Sequence, residues 1–173
     1  MITIVAGTNR PDSNSRVIAN HYCQLLEDMG SDAQILALED LPHDFVYRDV
    51  FGELRNEMSA IRKKYVEGIN KFVFVIPEYN GGFPGVLKSF IDAIPPADFY
   101  GKKAGLIGVS SGQAGSLRPM DQFTNVLNYL RVNVLYAKPK LSNVMGLIDD
   151  NGVLTDDRAI QQLREQAELM VKF

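Results

Sequence analysis

The stretch Gly7-Thr8-Asn9-Arg10-Pro11-Asp12-Ser13-Asn14-Ser15-Arg16 gathers groups that bind anions. Thr8, Ser13 and Ser15 bring hydroxyls, Asn14 an amide and Arg10 a guanidinium. A hydroxyl both donates and accepts, and a guanidinium forks onto two oxygens, so the set can surround a terminal phosphomonoester from several sides. The same residues also suit an ordinary capped helix start, with Ser13 or Asn14 as N-cap. Competing phosphate chemistry is not encoded here. The loop has no G-x-x-x-x-G-K-[ST] and no G-x-G-x-x-G, so neither a P-loop nor a standard dinucleotide site is written. It holds no thiol. Cys23 lies further on, beside Tyr22, and reads as a small buried residue rather than a nucleophile.

Two later stretches are rich in residues that let a ligand approach the main chain. Pro77-Glu78-Tyr79-Asn80-Gly81-Gly82-Phe83-Pro84-Gly85 follows the continuous apolar run Phe72–Ile76. Gly81 and Gly82 permit positive φ, and Tyr79 and Phe83 offer flat apolar faces. Backbone N–H groups there can meet the edge of a planar heteroaromatic ring; a turn with core aromatics has the same composition. Ser110-Ser111-Gly112-Gln113-Ala114-Gly115-Ser116 follows a second apolar run, Ala104–Val109. Taken singly it is a strand-to-helix turn.

The elements between these loops decide whether they meet. Ile2–Ala6 is a short apolar run that reads as a strand. From Ser15 to Met29, Val17, Ile18, Tyr22, Leu25, Leu26 and Met29 recur at helical spacing, and Ala33–Leu38 reads as a second strand. Val50–Ile69 carries helical spacing in Leu54, Met58, Ile61, Tyr65 and Ile69. Phe72–Ile76 reads as a strand buried on both faces. Val86–Ile94 is a helix, Ala104–Val109 a strand, Met120–Leu130 a helix and Val132–Tyr136 a last strand. Asp156–Val171 is a closing amphipathic helix, capped by Thr155 or Asp156. Strands alternating with helices imply a parallel sheet covered on both sides. Five strands imply the doubly wound, flavodoxin-like order 2-1-3-4-5, an α/β three-layer sandwich in which ligands bind beyond the carboxyl ends of the strands. The three loops follow strands one, three and four, so they should converge at one sheet edge as a phosphate cradle beside a flat slot.

The bulk composition agrees. With 173 residues, 46% hydrophobic and 23% charged, the chain matches one globular domain spanning 1–173 rather than a disordered one. A net charge of −3 gives no general affinity for nucleic acid or anionic membranes. One cysteine permits no internal disulfide and no all-cysteine metal site. Met1–Val5 lacks the basic flank and cleavage site of a signal peptide, and no apolar run reaches the roughly 20 residues of a membrane span. The expected location is the cytoplasm, with no membrane and no nucleic-acid partner.

Pro77-Glu78-Tyr79-Asn80-Gly81-Gly82-Phe83-Pro84-Gly85-Val86-Leu87-Lys88, followed by Ile91-Asp92, resembles the signature of NADPH-dependent FMN reductases, flavodoxin-like enzymes that include quinone, azo-dye and chromate reductases. The family's first loop is matched by Thr8, Arg10, Ser13 and Ser15, and its Ser-x-Gly-x-x-Gly turn by Ser110, Gly112 and Gly115. The resemblance implies that Thr8, Arg10, Ser13, Asn14 and Ser15 hold the FMN phosphate. Pro77, Glu78, Tyr79, Asn80, Gly81 and Gly82 would line the isoalloxazine and ribityl chain, and Ser110, Ser111, Gly112 and Gly115 would close the other side. It further implies NADPH or NADH as co-substrate, a small-molecule electron acceptor, ping-pong hydride transfer, and a homodimer or homotetramer. Thr8 and Gly82 stand where serine is common in the family, and the tryptophan often found after the Asp92 position is absent. Two other readings share the fold: a flavodoxin-like electron carrier and a non-enzymatic FMN-binding module. Of the remaining polar residues, His21 and His43 read as surface or packing groups. Glu78 reads as a turn or ring contact, Asp92 as a structural or inter-subunit contact, and Arg118 as an exposed cation near the third loop.

Overall fold

The computed structural model describes all residues from Met1 to Phe173. Parallel strands β1 (Ile2–Ala6), β2 (Ala33–Ala37), β3 (Lys71–Pro77), β4 (Lys103–Val109) and the short β5 (Asn133–Val134) form a sheet in the order β2-β1-β3-β4-β5. The strand order expected from the alternation of elements is therefore present. Pairing is in register from Ile2 against both Ala33 and Lys71, and from Lys71 against Lys103, so the three site loops leave the sheet at one level.

Successive residues of each central strand face opposite layers, as the twofold period of a strand requires. Ile2, Ile4, Val73, Val75, Ile107 and Val109 pack under α1 (Asn14–Asp28) and α6 (Asp157–Lys172). Phe72, Phe74, Ile76 and Leu106 pack under α3 (Asn56–Tyr65), α4 (Gly85–Ala93) and α5 (Leu117–Tyr129). These two buried clusters make the three-layer sandwich. Asp156 caps α6, its carboxylate accepting from the Ala159 N–H at 2.7 Å.

Two expectations need correction. The helix expected over Val50–Ile69 forms only over Asn56–Tyr65, and a four-residue helix α2 (Phe45–Arg48) precedes it. The cause is Asp49, whose side chain has no exposure. Its carboxylate accepts from the Arg55 N–H at 2.8 Å and from the Arg55 guanidinium, and this folds Val50–Leu54 into a loop. The strand expected over Val132–Tyr136 forms only over β5 (Asn133–Val134), and a further short strand not expected, β6 (Lys140–Leu141), follows it; both pair with β4. Between them, the Gln166 amide donates to the carbonyls of Leu106 and Ala137 at 2.8 and 2.7 Å. One α6 side chain thus supplies the donor that the interrupted strand cannot give.

Candidate cofactor-binding site

The first loop ends in a real N-cap. The Ser13 hydroxyl accepts from the Arg16 N–H at 3.3 Å, and Ser13 is 7% exposed. Arg16 and Val17 donate to the Ser13 carbonyl, whereas the N–H groups of Ser13, Asn14 and Ser15 donate to no acceptor in the protein. Such orphan donors, at the positive end of a helix dipole, are the donor set an anion needs. Arg16 is unavailable for that task, because Glu39 and Asp40 pair with it and hold it charged. Arg10 is exposed and makes no ion pair, so its guanidinium is free to close on a phosphate.

Thr8 is buried, and its hydroxyl joins two of the site loops. It accepts from the Arg10 N–H at 3.1 Å and shares a 2.7 Å hydrogen bond with the Tyr79 hydroxyl. Tyr79 belongs to a tight turn in which the Tyr79 and Gly82 N–H groups donate to each other's carbonyls at 2.9 and 3.0 Å. Asn80 (φ 51) and Gly81 (φ 80) occupy its two central positions, as a turn with both φ values positive requires. The turn uses the N–H groups of Tyr79 and Gly82 internally and leaves those of Asn80 and Gly81 free. Glu78 donates its N–H to Val109 and sets its carboxylate 3.7 Å from Arg118 on α5. Pro77 is buried as the last residue of β3.

The third loop is pinned from behind. The Ser110 hydroxyl donates to the Gly112 carbonyl at 2.8 Å and accepts from the Gly115 N–H at 3.0 Å. The Ser110 N–H goes to Leu141. Ser110 therefore shapes the loop, and its hydroxyl is committed within it. Gly115 (φ 58) lies where an added Cβ would come within 2.6 Å of the Lys140 Cβ, so any side chain there would push β6 away. Exposed Ser111, Gly112 and Gln113 present N–H groups that donate to no protein acceptor. Gln113 was not among the sequence candidates; its free donor depends on the loop's closure by Ser110, which composition does not show.

Three contacts tie the loops into a ring. Thr8–Tyr79 joins the first to the second, and Glu78–Arg118 joins the second to the start of α5. Asn14 joins the first to a turn at Val144–Gly146, its amide donating to the Met145 sulfur at 3.3 Å. That turn is held to the third loop by Asn143 N–H to Gly112 and Val144 N–H to Ser110. Met145 was also missed by sequence reasoning, and no local signal marks it. All the sequence candidates thus stand at one sheet edge: a phosphate-type donor set on one side, and two loops with free N–H groups on the other. The arrangement fits FMN, because orphan N–H groups suit its phosphate and the free donors of Asn80, Gly81, Gly112 and Gln113 suit the carbonyl-bearing edge of its ring.

Groups outside the ring offer no competing chemistry. Asp92 pairs with Lys88 at 2.7 Å one helical turn away. The Cys23 thiol is pushed up to about 11 by burial, with Glu27 adding to the effect, and stays protonated. Burial lowers His21, with Arg164 adding to it, and His43 is exposed. No cluster of three or more metal-binding side chains is present, and no helix is long and apolar enough to cross a membrane.

The chain is similar in sequence and in fold to known proteins. The family model of NADPH-dependent FMN reductases matches residues 1–143, which include all three loops. An NAD(P)H-dependent FMN reductase of Pseudomonas aeruginosa is 32% identical over 113 residues, covering 62% of this chain and 60% of that one. An NAD(P)H:quinone oxidoreductase of Solanum tuberosum is 29% identical over 174 residues, covering 92% of this chain and 85% of that one. Among solved structures, the flavoenzyme NAD(P)H:(acceptor) oxidoreductase FerB of Paracoccus denitrificans superposes with a TM-score of 0.82 at 22% identity, covering 99% of this chain and 94% of that one. A flavodoxin of Pseudomonas aeruginosa gives 0.64 at 19% identity, covering 98% of each. Likeness at these structural identities shows the flavodoxin-like fold; the sequence match over the site loops goes further, and the chain belongs to the NADPH-dependent FMN reductase family.

Proposed function

We propose that the protein is an FMN-dependent NAD(P)H oxidoreductase that passes reducing equivalents to a small oxidised acceptor such as a quinone, an azo compound or free flavin. The observation that carries this reading is the juxtaposition, through the 2.7 Å Thr8–Tyr79 bond, of an orphan-donor helix start with a tight turn of positive φ. The quinone oxidoreductase and FMN reductase relatives support the acceptor class.

When bound, FMN supplies the hydride chemistry, and the protein supplies binding, orientation and electrostatics. Thr8, Arg10, Ser13, Asn14 and Ser15 hold the phosphate. Pro77 to Gly82 line the ring and ribityl chain, with Asn80 and Gly81 giving the free N–H donors. Ser111, Gly112 and Gln113 present donors from the other side, on a loop that Ser110 and Gly115 hold closed. N–H groups fixed before reaction stabilise negative charge on the ring edge without reorganising, which is where such donors are most effective. No side chain in the ring of loops is placed as a general acid or base. With FMN bound, the nicotinamide and the acceptor would take the same site in turn, which would give ping-pong kinetics. Exposed Tyr129 and the apolar groove beside it, lined by Ile91, Val126 and Leu130, are the surface on which a second copy would pack as a homodimer or a homotetramer. The single cysteine suits the reducing cytoplasm.

The test is steady-state kinetics of the FMN-loaded protein with NADPH, NADH and a panel of quinone, azo and flavin acceptors. Parallel double-reciprocal lines are expected. Intersecting lines would sink the shared-face mechanism, and loading with FMN but no turnover with either nicotinamide would favour an electron carrier.

A further inference from the structure

Met145 stands apart from the other methionines. Of the six, Met58, Met120 and Met170 are fully buried and Met29 is half-buried. Met1 is exposed at the opposite end of β1 from the site loops. Met145 is 72% exposed and lies at the mouth of the site, its sulfur accepting from the Asn14 amide at 3.3 Å. It is held there by the turn that Asn143 and Val144 tie to Gly112 and Ser110. A thioether is a weak acceptor, so Asn14 gives it up readily to a phosphate oxygen.

We propose that Met145 is an oxidation site that sets how tightly the first loop holds a phosphate. This rests on the FMN reading for its ligand. The oxidant is hydrogen peroxide, the product when a reduced flavin gives two electrons to dioxygen. The Met145 sulfur lone pair attacks one peroxide oxygen. The S–O bond forms as the O–O bond breaks, and the departing hydroxide takes the proton of the oxygen now on sulfur and leaves as water. Sulfur is oxidised by two electrons and the peroxide is reduced by two, giving the sulfoxide. The sulfoxide oxygen is a strong acceptor in place of a weak one. It holds the Asn14 amide and sets the negative end of its dipole against that side chain of the first loop. A phosphate then loses one donor and meets a negative neighbour. Loss of one charge-assisted hydrogen bond corresponds to about tenfold weaker binding.

The test treats FMN-free protein with hydrogen peroxide, maps the added oxygen by peptide mass spectrometry, and titrates FMN by fluorescence before and after. Met145 should gain one oxygen ahead of every methionine except Met1, and FMN affinity should fall about tenfold. Met145→Leu, which has no sulfur to oxidise, should keep its own starting FMN affinity through the treatment, while Met145→Gln, which carries a permanent oxygen acceptor, should bind weakly without it. Unchanged affinity in protein shown to be oxidised at Met145, or an equal loss in Met145→Leu, overturns the proposal. Untreated protein that binds no FMN overturns the FMN reading as well, a result separable from the first because it precedes any oxidation.

Discussion

Replacing Ser13 by aspartate separates two tasks that one hydroxyl performs. A hydroxyl has acceptor lone pairs and one proton. In Ser13 a lone pair receives the Arg16 N–H at 3.3 Å, which leaves the proton for a phosphate oxygen. Ser13→Ala removes both. Loss of the cap costs about 1 kcal/mol, or about 2–4 °C in Tm for a chain of this size. Loss of a hydrogen bond to a charged group costs about 1.5–3 kcal/mol, which weakens FMN binding about 10- to 100-fold. Ser13→Asp keeps an excellent cap and adds a carboxylate at the helix start, where the dipole favours it. It also sets a negative charge beside the phosphate. Two unit charges about 5 Å apart at an effective dielectric near 20 repel by about 3 kcal/mol, so FMN affinity should drop more than about 100-fold. The assay pairs calorimetry of the flavin-free proteins with fluorescence titration of FMN. Ser13→Asp should melt with the parent or above it and yet fail to hold FMN. An aspartate variant that binds FMN as the parent does would refute the placement of the phosphate at this helix start.

Three further outcomes follow from the geometry. Gln166→Leu strands the buried Leu106 carbonyl and the half-buried Ala137 carbonyl that its amide serves; urea denaturation should show a loss of about 2–4 kcal/mol, and a loss below about 0.5 kcal/mol would mean the β5–β6 break needs no donor. Thr8→Val and Tyr79→Phe should couple by about 1 kcal/mol in a double-mutant cycle on the stability of the flavin-free protein, and strictly additive effects would deny the cross-loop bond. The Asp49 carboxyl is held below the usual carboxylate range, chiefly by its hydrogen bonds from Arg55. A carboxyl whose folded pKa is depressed stabilises the fold above its unfolded pKa, near 4, and loses that contribution as pH falls through the folded value. The parent should therefore be more stable than Asp49→Asn at neutral pH, with the gap closing only in acid below about pH 4; a gap independent of pH would contradict the pairing.

What could be read from the sequence was local. The apolar run Ile2–Ala6, the side-chain caps at Ser13 and Asp156, and the positive φ of Gly81 each depend on residues within a few positions; the second positive φ of that turn falls on Asn80 rather than on Gly82, where the sequence allows it. What could not be read depends on distant partners. Thr8 meets Tyr79 across 71 residues and Asn14 meets Met145 across 131. The break in the last strand is bridged by Gln166 from the closing helix, and the shortened α3 follows from buried Asp49 capturing Arg55. Neither contact leaves a periodic trace. For the same reason the sequence assigned Ser110 and Gly115 to the ligand side, whereas the folded loop uses the Ser110 hydroxyl and the Gly115 N–H on each other. Free donors remain at Ser111 and Gly112, which the sequence also named, and at Gln113, which it did not.

The most direct measurement is an anaerobic titration of purified protein, first with FMN and then with NADPH, following flavin fluorescence and visible absorbance. FMN should bind at one per chain with altered fluorescence, and NADPH should then bleach the bound flavin rapidly. Protein that leaves FMN unbound, or bound FMN that keeps its absorbance in the presence of both NADPH and NADH, would contradict the assignment of the three loops to a reductase site.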